Sequence, residues 1–191
     1  MLGNDVVDLR LAKRQSNWKR PHYLSKIFSS TERELVNLAA NPDLVVWLIW
    51  SMKEAAYKIV NRASGLRFYN PLAFTCSFKM EGSLATGKVK YKGETFWCTT
   101  QIFDNFLHTL AVEKGISFHQ VGVIYAANRS DYVQHFNTEQ EWLRLEKDKN
   151  MLPQLYNYTT KTHHITSLSH HGSKLYIVYL LNNKANWFSD V

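Results

Sequence analysis

Lys53, Glu54 and Lys58 stand in the stretch WSMKEAAYK, residues 50–58, at the end of a long apolar run where a helix should be burying side chains. A further acid, Asp5, stands in a short β-branched stretch, GNDVVDL, residues 3–9. Mg²⁺ is commonly held by one or two carboxylates, with water and substrate phosphates filling the rest of its shell. Asp5 and Glu54 could meet on such a hard divalent cation, and Lys58, one helical turn beyond Glu54, would face the same phosphates. The three residues form a candidate phosphoryl-transfer set, in which catalysis is mainly positioning and charge neutralisation. A plainer reading stands beside it: Glu54 and Lys58 as an i,i+4 surface pair, worth about 0.2–0.5 kcal/mol.

The elements that must position these residues follow from local pattern. Residues 3–9 read as a strand. Thr31 and Glu34 have the Thr-x-x-Glu spacing of a capping box, so a helix should start close to Thr31. A longer helix should begin with Pro42 in its first turn and run to about Arg62, where Ser64-Gly65 stops it. On it Leu44, Leu48, Ala55 and Ile59 form a core stripe, and Trp47, Trp50, Glu54 and Lys58 form a second stripe beside it. Two tryptophans in line with the charged pair place it at the border of an apolar surface, where a cleft lies.

From residue 68 to Val112 short Phe-, Thr-, Val- and Tyr-rich segments, punctuated at Glu81-Gly82, Thr86-Gly87 and Lys92-Gly93, predict antiparallel strands. Phe68, Tyr69, Phe74 and Phe78 should pack that sheet. After a boundary at Lys114-Gly115, Val121 to Ala126 reads as a strand and Thr138 to Lys149 as a polar helix capped by Thr138 and Glu141. Residues 165–182 read as a strand pair turning at Gly172-Ser173.

A chain of 191 residues with 45% hydrophobic and 20% charged residues can close a core. Its net charge of +7 suits an anionic partner. Cys76 and Cys98 lie far apart in sequence and suggest neither a disulfide framework nor a thiolate metal site, so a cytoplasmic location is expected. The longest apolar run, Leu44 to Trp50, is far short of the roughly 20 residues a membrane span needs. His163, His164, His170 and His171 do not suggest zinc, because adjacent strand residues point to opposite faces. His108, in an apolar strand, reads as a core or cleft residue and not as a base. Nucleic acid is not the expected partner: an aromatic, basic groove could stack single strands, but Asp5 and Glu54 would repel phosphate there unless a cation intervened.

GNDVVDL, IFSSTERE and WSMKEAAYK, in that order, resemble the three signature blocks of the 4'-phosphopantetheinyl transferase superfamily, and SLSHHG at residues 167–172 is similar to its Ser-His-x-Gly strand. The resemblance implies an α+β fold of the 4'-phosphopantetheinyl transferase type, an antiparallel sheet against a long helix, in two pseudo-equivalent lobes. It implies an enzyme of the holo-acyl-carrier-protein synthase type that moves the 4'-phosphopantetheine arm of coenzyme A to a serine of an apo carrier protein and leaves adenosine 3',5'-bisphosphate. By the same resemblance Asp5 and Glu54 are the ligands of Mg²⁺, or of Mn²⁺, and Lys58 contacts the transferred phosphate. Glu54, directly or through a water, receives the serine proton. Ser169 and His170 hold the 3'-phosphate of coenzyme A, Lys53 is a further phosphate or pantetheine contact, and Glu32 matches the second block. Carrier proteins are acidic around the modified serine, so Lys13, Arg14, Lys19 and Arg20 are the expected docking patch; a non-catalytic relative that binds carrier protein or coenzyme A is the alternative.

Two features depart from the family pattern. Larger members carry a second acid two residues after the metal-strand aspartate, where this chain has Val7, and in two-lobed members the Ser-His-x-Gly strand precedes the Gly-x-Asp block instead of following it. Either residues 1–115 form the transferase lobe and 116–191 a second lobe in permuted order, in one monomeric unit, or one lobe carries a long insertion and the chain trimerises. The first is the expectation.

Overall fold

The computed structural model of the chain describes residues 1–65, 67 and 69–181, so Phe68 and the end of the last strand pair beyond residue 181 lie outside the described residues. The fold is α+β, with two five-stranded antiparallel sheets. The first contains β1 (Leu2–Asp8), β2 (Thr75–Glu81), β3 (Leu84–Tyr91), β4 (Glu94–Ile102) and β5 (Phe106–Glu113), in the order β1-β5-β4-β3-β2. Between β1 and β2 the chain forms α1 (Leu9–Gln15), α2 (Tyr23–Ile27), α3 (Ser30–Leu38) and the long α4 (Pro42–Ser64). The second sheet contains β6 (Val121–Ala127), β7 (Leu143–Lys147), β8 (Pro153–Asn157), β9 (Thr162–His171) and β10 (Lys174–Leu180), in the order β6-β10-β9-β8-β7, with α5 (Tyr132–Glu139) between β6 and β7. Both sheets thus follow one plan: the first strand pairs with the last, and the others meander back from it.

Helix α4 forms where its caps and periodicity place it. Asn41 accepts from Leu44 N, Pro42 opens the first turn, and Gly65 closes the last turn in the left-handed region at φ +70°. Its inner face, including Leu48, Ile49, Met52, Ala55 and Ile59, is almost wholly buried and packs with Val89, Phe96, Leu107 and Ala111 of the first sheet. A Cβ on Gly3 would come within 2.0 Å of Ala55 O, so only glycine lets β1 lie this close to α4. Phe136, Leu145, Leu155, Leu175 and Ile177 form the second core. Leu2, Val112 and Val178, packed with Ile116, Phe118 and Leu180, join the two halves.

Three local expectations are corrected. Helix α3 starts at Ser30, close to Thr31, but is capped two residues before it: Ser29 accepts from Glu32 N and the Glu32 carboxylate accepts from Ser29 N, because Glu32 is held inward by a buried lysine. The polar helix expected over Thr138 to Lys149 is not formed. Helix α5 ends at Glu139, and Leu143 and Leu145 alternate with Arg144 and Glu146 in strand β7, whose Leu145 enters the second core. Thr86-Gly87 is not a turn but the middle of β3, where a Cβ on Gly87 would collide with Ser77 O at 2.2 Å. Among the described residues no helix is long and apolar enough to cross a membrane.

Candidate active site

Asp5, Glu54, Lys58 and Ser169 come together where the edge of the first sheet meets β9 of the second. β1 is an edge strand, and its outward N–H groups would be unpaired without help. Three side chains of β9, alternating along one face, supply that help. Asn4 N donates to Ser167 Oγ at 3.2 Å, Val6 N to Ser169 Oγ at 3.0 Å and Asp8 N to His171 Nδ1 at 3.1 Å. Since His171 Nδ1 accepts, its proton sits on Nε2, which reaches Gln15 Oε1 at 3.1 Å. Ser169 Oγ in turn donates to Asp5 Oδ1 at 3.0 Å, fixing the carboxylate at the seam.

Helix α4 brings the other charges. Lys58 Nζ donates to Asn4 O at 2.6 Å and to Leu168 O at 3.2 Å, and lies 3.7 Å from Asp5 Oδ1, so one ammonium ties both sheets and faces the carboxylate. One turn on, Arg62 donates to Pro153 O at 2.8 Å and Thr166 O at 2.6 Å, which extends the same seam. Burial holds the Asp5 carboxyl above its ordinary range, against the opposing pull of Lys58 and Ser169. The Glu54 carboxyl is pushed up to about 7, first by burial and then by the Asp5 charge, with Lys58 opposing. Two desolvated carboxylates, with the Asp5 charge raising the proton affinity of Glu54, form a donor set that a hard dication would neutralise. No cluster of three or more His, Cys, Asp and Glu side chains capable of holding a metal exists among the described residues, so any cation here would draw its remaining ligands from water or substrate. Val7, where a second acid would stand, is 4% exposed and belongs to the core.

The remaining expected residues divide. Lys53 is not a phosphate or pantetheine contact: it is completely buried, and its Nζ donates to Glu32 Oε2 at 2.7 Å, Ile27 O at 2.8 Å and Pro71 O at 2.9 Å, which uses all three ammonium protons. Glu32, at 1% exposure, also accepts from Cys76 N at 2.8 Å and so clamps α3, α4 and β2 together. Ser169 is 5% exposed and its hydroxyl is occupied by Asp5 and Val6 N, so it positions Asp5 and does not hold a 3'-phosphate. His170, next along the strand, points to the opposite face and is exposed. Lys13, Arg14, Lys19 and Arg20 are exposed on α1 and the segment after it, with the Arg20 guanidinium 4.4 Å from the Tyr23 ring centre.

Sequence reasoning missed Asn4, Ser167 and His171. Asn4 is fully buried; its amide nitrogen lies 3.2 Å from Tyr176 O and 3.3 Å from His108 Nε2, and its oxygen accepts from Ser167 Oγ at 2.8 Å. The signal was the polar alternation Ser167-x-Ser169-x-His171, which predicts one polar strand face but not what it meets. His108 stacks on Tyr176 with ring centres 3.9 Å apart, and burial, with Lys58 adding to it, lowers its pKa to about 3, so it is a neutral cleft residue as expected.

No curated protein matches the chain significantly. Among solved structures, Thermotoga maritima holo-[acyl-carrier-protein] synthase aligns over 80% of this chain and 83% of its own, at 13% identity and a TM-score of 0.44, and no assignment rests on that likeness. The sequence profile of the 4'-phosphopantetheinyl transferase superfamily matches residues 1–111, the span that supplies Asp5, Glu32, Glu54 and Lys58. The chain therefore belongs to the 4'-phosphopantetheinyl transferase superfamily.

Proposed function

We propose that this chain transfers the 4'-phosphopantetheine arm of coenzyme A to the serine of an apo acyl carrier protein or related carrier, and that the seam between β1, α4 and β9 is where it does so. The observation that carries the reading is the convergence of Asp5 from β1 with Glu54 and Lys58 from α4 on one partly buried spot. A divalent cation, Mg²⁺ or Mn²⁺, held there by Asp5 and Glu54 would neutralise pyrophosphate charge. Glu54 would accept the proton of the serine hydroxyl, directly or through a water, as that oxygen attacks the phosphorus bearing the pantetheine. The bond to the bridging pyrophosphate oxygen breaks, and adenosine 3',5'-bisphosphate leaves with the electron pair.

Lys58 adds positive charge beside the reacting phosphate, although two of its protons hold the seam closed. His170, the exposed residue of the Ser-His-x-Gly block, would meet the 3'-phosphate. The exposed cations Lys13, Arg14, Lys19 and Arg20 suit the acidic surface of a carrier. The test is intact-mass spectrometry of apo acyl carrier protein incubated with this protein, coenzyme A and Mg²⁺, beside a chelated control. A metal-dependent gain of one phosphopantetheine is expected; coenzyme A binding without any gain across several carriers would replace the reading with a non-catalytic binder.

A further inference from the structure

Tyr69 lies in the loop between α4 and β2. Its ring centre is 5.8 Å from that of Trp50, 4.6 Å from Tyr57 and 5.8 Å from Phe74. Trp50 and Tyr57 bracket Glu54 on one face of α4, four residues before it and three after, so a ring touching both lies across the turn that carries Glu54. The hydroxyl of Tyr69 is buried and has no hydrogen-bond partner among the described residues. A buried, unmade hydrogen bond is costly and is retained where something else completes it. Burial above all, then the negative charge of Glu54, with smaller contributions from Cys76, Asp5 and Glu32, raises the phenol's pKa and keeps its proton in place. The hydroxyl is therefore a donor and not an anion, in a site that otherwise presents two carboxylates.

We propose that Tyr69 is a catalytic residue whose Oη donates a hydrogen bond to a phosphate oxygen of coenzyme A seated beside Glu54. The assignment rests on the transferase reading above. A donor fixed in a dry wall strengthens as charge gathers on the oxygen it faces, so its contribution should be larger to turnover than to binding. The aromatic contacts with Trp50, Tyr57 and Phe74 hold the ring rigid and leave the hydroxyl no local acceptor to exchange with.

Tyr69→Phe tests this, because it keeps the ring contacts and removes only the hydroxyl. Turnover of apo acyl carrier protein, calorimetric affinity for coenzyme A and thermal midpoint would be measured on wild type and variant together. A fall in kcat of about 10- to 100-fold, a smaller loss of coenzyme A affinity and a midpoint equal to or above wild type are expected. Unchanged kcat and affinity would overturn the proposal, and so would a loss of activity accompanied by a lowered midpoint, which would make Tyr69 a packing residue. If wild type modifies no carrier, the transferase reading fails and affinity alone decides: weaker coenzyme A binding by Tyr69→Phe supports the phosphate contact, and equal binding refutes it.

Discussion

Glu54 and Lys53 are neighbours in sequence with opposite fates, and each makes a prediction that separates chemistry from structure. The Glu54 carboxyl has an ordinary value of 4.5 and is raised to about 7 in the folded chain. Between those values the folded state binds more protons than the unfolded state, so the stability linked to this group is full below 4.5 and is lost as pH rises through about 7. Glu54→Gln removes the group that becomes charged. Its thermal midpoint relative to metal-free wild type should rise from pH 5 to pH 8, while phosphopantetheine transfer is abolished; near-normal turnover would remove Glu54 from the chemistry. Lys53 is the reverse case. Lys53→Met leaves Glu32 buried without its cation and should cost about 3–5 kcal/mol in urea unfolding. The coenzyme A affinity of the folded variant should be unchanged, and a selective loss of affinity would restore Lys53 as a ligand contact.

The position of Asp5 depends on a strand with two unusual contacts. On one side Gly3 allows α4 to approach, and on the other Ser167, Ser169 and His171 occupy the outward N–H groups of β1 where a further strand would pair. Ser169→Ala should therefore cost roughly 1–3 kcal/mol, because Val6 N is left buried without an acceptor. It should also lower kcat, since Asp5 loses the hydroxyl that orients it. Urea melts and carrier turnover check the two effects, and full activity in a destabilised variant would show that Asp5 holds its place unaided. Gly3→Ala is the harsher case: with the backbone oxygen of Ala55 in the way, β1 or α4 must shift, and both stability and activity should fall together.

Across the whole molecule, the second sheet repeats the strand order of the first and then completes it. The outward edge of β1 is filled by β9 of the same chain, and Lys58 and Arg62 bind carbonyl oxygens of the second half. A trimer is not needed to supply that edge, so activity should accompany a species of monomer mass, 22.3 kDa, in light scattering. Activity confined to a larger species would mean that another copy contributes to the site. The exposed cations belong to this scale too. Reversing charge at Lys13 and Arg14 should raise KM for the carrier and flatten its salt dependence with little change in kcat. If KM does not move, docking occurs elsewhere.

The sequence by itself determined what depends on neighbours along the chain. The caps and core stripe of α4, the β1 segment and the hairpin at Lys92-Gly93 with both residues at positive φ were legible because periodicity and turn chemistry are local, whereas the meeting of Asp5 with Lys58 depends on β1 packing against α4. Where local signals compete, tertiary structure decided. Thr31 and Ser29 could both cap α3, and the buried Lys53 selected Ser29 by holding Glu32. Residues 143–147 could be read as helix until a second core took Leu145. The same held for roles: Lys53 and Glu54 are adjacent letters, but only packing shows one ammonium enclosed by carbonyls and the other residue's carboxylate at the seam. Ser169 and His170 likewise share a motif, yet a strand turns them to opposite faces, one to Asp5 and one to solvent. Motif spacing names the groups; burial and hydrogen-bond partners, fixed by contacts more than a hundred residues apart in the chain, decide which remain available for chemistry.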